Sequence, residues 1–213
     1  MSFKSPLKNL IEMIENFCRT HPQLKPYLIF QSIYEIGSKS RIGRYSLSKE
    51  IGLSESTART LLKFLKREGL IISIPKSGHR LSDVGLEIFE HLKKYIGSVK
   101  EIEELEEFRP AKYAIGILIK GASKYIKKGL EERDDAVRAG AKGATIIVYE
   151  RNTFSVPSVY PELVGEEKNI LIKIFSPSDG DVIAIVFADN RSSVKQAAFA
   201  VAYYLLKRKL GVK

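Results

Sequence analysis

Apolar residues recur through the first hundred positions at the spacing of helices that each bury one stripe. Residues 6–18 set Leu7, Leu10, Ile11, Ile14 and Phe17 at i, i+3, i+4, i+7 and i+10, which predicts an amphipathic helix. Pro22 and Pro26 part it from a second helix over residues 27–36, and a Gly/Ser loop, residues 37–46, follows. Residues 47–51 predict a short helix, hinged at Gly52 with Leu53 tucked inside. Ala58, Leu61, Leu62 and Leu65 then form the buried stripe of a helix that Ser54 is placed to N-cap. Residues 70–82 read as strand, tight turn and strand, with Lys-Ser-Gly-His at the tip. Residues 83–96 predict a further helix with Val84, Ile88, Phe89, Leu92, Tyr95 and Ile96 on one side.

The pattern changes at residues 98–110, where five Glu fall between Glu101 and Glu107 and Pro110 ends the run. This acidic linker is either a charged helical connector or a solvated tether, and it separates a domain over residues 1–97 from one over residues 111–213. The second half predicts a strand (111–122), a helix (130–141), a hairpin around Arg151–Asn152, and a final helix (192–209). A second hairpin is predicted from "NILIKIF" and "DVIAIVFA" around "SPSDG". The fold class is α+β: a mainly helical N-terminal domain with a small β element, then a C-terminal sandwich of a mostly antiparallel sheet with helices on one face.

Charge sharpens this division. The 213 residues carry a net charge of +10 with a pI of about 9.5. Residues 1–100 hold 17 Lys and Arg against 9 Asp and Glu, and residues 101–213 hold 18 against 16, so only the first half is built to meet a polyanion. The single cysteine, Cys18, forms no internal disulfide, and a reducing cytoplasm is expected. The longest uncharged apolar stretch, residues 197–206, is too short to span a bilayer, so no membrane partner is expected.

The outward side of the helix after Gly52 carries Ser54, Ser56, Thr57, Arg59, Thr60 and Lys63. Short donors near the N-terminus and long cations further along suit a major groove, where Arg bonds guanine bidentately and Ser and Thr reach base edges or phosphates. Two short helices hinged at a glycine have helix-turn-helix spacing. On "LSKEIGLSESTARTLLKFLKREGLI" and "GHRLSDVGLEIF", residues 23–96 resemble the winged helix-turn-helix domains of bacterial and archaeal transcription regulators. The resemblance implies that the second helix enters the major groove, with Ser54, Ser56, Thr57, Arg59, Thr60 and Lys63 groove-facing. It places Lys76, Ser77, His79 and Arg80 on or beside the wing and gives Arg41 and Arg44 a backbone contact. It also implies double-stranded DNA as partner, and a homodimer is expected because two-fold symmetry matches palindromic operators. The whole chain resembles an archaeal family in which a winged helix precedes a domain of uncharacterised function, on residues 116–152 and the order of segments; that resemblance implies no ligand or chemistry.

Other chemistry is sparse. His21, His79 and His91 are scattered, so no metal site is expected. "GSKSRIGR" lacks phosphate-loop spacing, no dinucleotide or nucleophile-elbow motif occurs, and no cofactor is expected. In the second half Leu130, Val137 and Ala141 mark an inner stripe with Asp134 on it, either paired with Arg138 one turn later or reaching into a ligand pocket. Asp189, Asn190 and Arg191 join a strand end to a helix N-terminus, as caps or as an anion site. The expected whole is a cytoplasmic DNA-binding transcriptional regulator, not an enzyme, whose second domain senses a small-molecule effector, dimerises, or both. The alternatives are an enzyme domain fused to an autoregulatory winged helix, and a winged helix used to dock protein.

Overall fold

A computed structural model describes residues 5–103 and 111–212. The chain divides into two compact units, the first ending at Lys93 and the second running from Lys94 to Gly211.

The first unit contains α1 (Pro6–Thr20), α2 (Pro26–Ser38), α3 (Arg44–Glu50), α4 (Glu55–Arg67), the strands β1 (Ile71–Ile74) and β2 (Gly78–Leu81), and α5 (Asp83–Tyr95), whose end crosses into the second unit. Proline opens both α1 and α2, where its missing N–H is no loss and its fixed φ suits the first turn. All five apolar residues expected on α1 are buried, and Phe17 stacks on Phe64 of α4 with centroids 3.8 Å apart, so this helix packs on its own domain. In α5 the predicted stripe is rotated. Val84 is exposed and Gly85 is buried in its stead, because a Cβ on residue 85 would lie 2.0 Å from the Leu70 carbonyl oxygen. Only glycine lets that helix approach so closely.

Helix α2 is buried almost all round, and Gln31 within it is fully buried with neither amide atom hydrogen-bonded among the described residues. An orphaned buried amide is a desolvation penalty without return. Gln31→Met, close in volume, is expected to stabilise the domain by about 1–2 kcal/mol, read as a rise in the thermal midpoint.

The second unit is a five-stranded sheet, β3 (Ile96–Glu101), β4 (Tyr113–Ile119), β5 (Gly143–Glu150), β6 (Thr153–Ser155) and β7 (Asp181–Ala188), with α6 (Leu130–Arg138), α7 (Glu166–Phe175) and α8 (Arg191–Lys209). Strand order is β3-β4-β7-β5-β6 and every pairing is antiparallel. Three expectations are corrected. First, residues 98–101 are not linker: they sit in β3, paired to β4. The rest of the acidic run from residue 104 to residue 110 lies outside the described residues. Second, "NILIKIF" belongs to helix α7. Leu171 and Phe175 are its buried residues, one turn apart, and Glu166 and Glu167 favour its N-terminus. Third, helices cover both faces. Ala114 and Leu118 of β4 share a core with Leu171 and Phe175 of α7, and the alternate residues Ile115, Ile117 and Ile119 are buried on the other side, where α8 packs on β4 and β7 and α6 packs on β5. Gly116 makes room for α7, since a Cβ there would lie 2.3 Å from the Phe175 ring. The hairpin around Arg151–Asn152 is as expected. Both turn residues have φ near +60° (51° and 62°), the mark of a type I′ turn.

Candidate nucleic-acid interface

Helix α4 is held from below by Ala58, Leu61, Leu62, Phe64 and Leu65, all buried. Ser54 caps it, its hydroxyl accepting from the Thr57 N–H at 3.2 Å. Gly52, at φ +63°, makes the turn from α3, and the Leu53 N–H donates back to the Ser48 carbonyl. What remains outward is a row of Ser56, Arg59, Lys63 and Lys66. Thr57 and Thr60 are half-buried. Thr57 exchanges a hydrogen bond with Ser54 Oγ at 2.8 Å, and Thr60 donates to the Ser56 carbonyl at 3.3 Å. Both therefore flank the row, and Ser54 is occupied by capping.

The β1–β2 hairpin stands where a wing is expected. Ile74 pairs with Gly78, and Pro75, Lys76 and Ser77 form the tip with Lys76 at φ +60°. Ile42 and His79 exchange reciprocal backbone hydrogen bonds of 2.9 Å. The loop carrying Arg41 is thereby fastened to β2 close to the hairpin turn. Arg44 is not part of that loop; it is the first residue of α3 and pairs with Glu55 at the start of α4 at 3.2 Å. Both partners are exposed, so the pair is worth about 0–1 kcal/mol and yields readily to a phosphate. Arg41, Lys76, Ser77 and Arg80 are exposed. His79 has its pKa lowered by burial first, then by the positive charges of Lys66 and Arg44. Those charges thus converge on β2 beside the hairpin turn. Among the described residues, Arg41, Arg59, Lys63, Lys66 and Lys76 form no ion pair.

Gly78 holds this arrangement together. Its φ is +92°, and a Cβ there would lie 2.5 Å from the Ile42 carbonyl oxygen. Gly78→Ala is expected to destabilise the domain by about 2 kcal/mol through backbone strain and to free the Arg41 loop, checked by thermal unfolding and loss of Ile42 amide protection in hydrogen exchange.

Lys66 escaped the sequence reading although it stands three residues beyond Lys63 on the same row; the periodicity that gave Lys63 reaches it. Tyr45 and Lys49, side by side on α3 with the ammonium 4.5 Å from the ring centroid, also face solvent near Arg44. Cys18 is no reactive group: burial pushes its thiol up to about 12.

In the second unit the expected ligand residues are not brought together. The stripe of Leu130, Asp134 and Val137 faces solvent, not the core. The buried side of α6 is Glu132, Asp135 and Ala136. Arg138 pairs with Asp135 at 3.0 Å, not with Asp134. The reason lies 70 residues on: Arg208 of α8 reaches Glu132 at 2.7 Å and Asp135 at 2.8 Å, which lets two carboxylates turn inward. Asn190 caps α8 by accepting from the Ser193 N–H at 2.8 Å, Asp189 pairs with Lys142 at 2.8 Å, and Arg191 pairs with Glu101. An open groove of about 740 Å³ runs between residues 128–133, residues 144–146 and the loop of residues 156–160. Among the described residues no cluster of His, Cys, Asp or Glu is arranged to hold a metal ion, and no helix is long and apolar enough to cross a membrane.

Comparison with known proteins agrees with this geometry. Residues 25–96 match the family model of the CggR N-terminal DNA-binding domain, and residues 110–205 match that of a domain of unknown function, DUF4443. The chain is similar to a solved structure, a hypothetical protein from Pyrococcus horikoshii OT3, with 27% identity and a TM-score of 0.73 over 88% of this chain and 95% of that one. No curated protein matches it. The chain is therefore similar to a DNA-binding domain of the CggR type over residues 25–96 and to a DUF4443 domain over residues 110–205.

Proposed function

We propose that this protein is a transcriptional regulator whose first domain docks α4 in the major groove of duplex DNA while the hairpin and the Arg41 loop grip the flanking phosphates. The observation that carries this reading is the row Ser56, Arg59, Lys63 and Lys66, exposed and with its three cations unpaired, beside a hairpin whose His79 feels the positive charges of Lys66 and Arg44. Unpaired cations exchange small counterions for phosphates at little electrostatic penalty. In this reading the second domain brings two chains together, senses a small molecule, or both. Two chains related by a two-fold axis present two α4 helices to a palindromic site. A non-enzymatic second domain is favoured by the engagement of Asp189 and Arg191 in ion pairs and of Asn190 in capping.

The test is binding of the full chain to labelled random-sequence duplex DNA as salt is raised. With about five phosphates neutralised, log K is expected to fall against log salt with a slope of about −4.5. A complex that ignores salt, or none at low ionic strength, overturns the reading and favours a protein-docking role.

A further inference from the structure

We propose that α6 and the adjoining edge of β5 form the surface on which a second copy of this chain docks. The inference names the contact for the dimer of the preceding reading and rests on it for the expectation that two chains associate.

Two features carry it. The first is the outward stripe of α6: Leu130 (55% exposed), Val137 (42%), and between them Arg133 and Asp134 (53% and 55%). These stand at i, i+3, i+4 and i+7, one face of a helix. Both apolar side chains stand in solvent in the single chain and flank the charged pair on the same face. The face is also its own complement. Set two such helices antiparallel about a two-fold axis between residues 133 and 134. Leu130 then meets Val137 of the second copy, and Arg133 meets its Asp134, with both contacts made twice. Within one chain Arg133 and Asp134 only approach at 4.0 Å, so both are available across the axis.

The second feature is the strand edge beside it. β5 pairs with β7 over residues 143–149, but β6 covers only Val148–Glu150. Among the described residues nothing pairs with residues 143–147 on the outer side. Their sequence, Gly-Ala-Thr-Ile-Ile, contains no charge and no proline. The other edge of the sheet is guarded: β3 has a register shift between Ile96 and Ser98 and ends in Lys100 and Glu101. Proteins blunt the edges they leave in water, and here only one edge is blunted. The open edge floors the 740 Å³ groove, and Leu130 and Arg133 line its wall. An antiparallel edge is self-complementary under the same two-fold relation that suits α6, with Thr145 near the axis.

The experiment is analytical ultracentrifugation of the full chain and of charge-swapped variants. The wild type is expected to sediment as a dimer. Arg133→Asp and Asp134→Arg are each expected to weaken the dimer by about tenfold or more, and the double swap to restore it within about threefold. Leu130→Glu is expected to give a monomer with an unchanged circular dichroism spectrum. A dimer indifferent to all four variants overturns this surface and leaves the dimer reading standing. A wild-type monomer, with the groove empty or holding a small molecule, overturns both.

Discussion

Arg208→Met is expected to cost the second domain about 3 kcal/mol at neutral pH, as leaving a buried ionic network without its cation typically does. Arg208 lies between Glu132 and Asp135, whose side chains are 2% and 6% exposed, and is itself 30% exposed, which sets the loss at the lower end of the usual range. The pH dependence identifies the mechanism. Burial is the leading cause that raises both carboxyl pKa values, and the charge and hydrogen bonds of Arg208 pull them down. Without Arg208 the folded-state values rise further. A carboxyl whose folded pKa lies above its unfolded value binds protons more tightly when folded. Its favourable contribution is therefore present at low pH and lost as pH rises through the folded pKa. The deficit of the variant should be largest at about pH 7.5 and narrow toward about pH 5 as the carboxyls take up protons. Urea unfolding of both proteins at the two pH values checks this. An equal deficit at both would mean that Arg208 acts by packing its stem, not by its charge.

The second large effect lies on DNA. Arg59→Ala with Lys63→Ala is expected to weaken duplex binding by about 2–4 kcal/mol, or about thirtyfold to a thousandfold. The two losses should differ in kind. Lys63→Ala alone should weaken all sequences alike and make the salt slope shallower by about 1, as a phosphate contact does. Arg59→Ala should also relax preference at one base pair, as a bidentate contact to guanine does. Fluorescence anisotropy over a salt series, on random and selected duplexes, separates them. Both residues are exposed and outside the Ala58–Leu65 core, so thermal stability should move by less than about 0.5 kcal/mol.

The exposed row of α4 was largely legible because its signal is local. Ala58, Leu61, Leu62 and Leu65 fix which side of α4 is buried, and the opposite side follows from 3.6-residue geometry. The fastening of Ile42 to His79 was not legible, because backbone pairing across 37 residues leaves no mark in side-chain pattern. α7 was misread since a run such as Asn-Ile-Leu-Ile-Lys-Ile-Phe satisfies a buried strand and a helix equally, and only the packing of Phe175 over Gly116 decides. α6 was turned inside out. Two leucine-like residues at helical spacing suggest a core, and two carboxylates suggest water, until an arginine from a distant helix reverses the preference. Burial of charge depends on a partner, and the partner's position is a property of the fold.

The Ile42–His79 pairing also bears on how binding preference could diverge among relatives of this protein. The hairpin is anchored at His79, one ladder pair from the turn, while the three-residue turn itself carries Lys76 and Ser77, which face water. Extra residues inserted there would lengthen the turn without disturbing the register of Ile71–Ile74 against Gly78–Leu81. New contacts would then arise by insertion at an exposed turn, with α4 and its hydrophobic support left untouched.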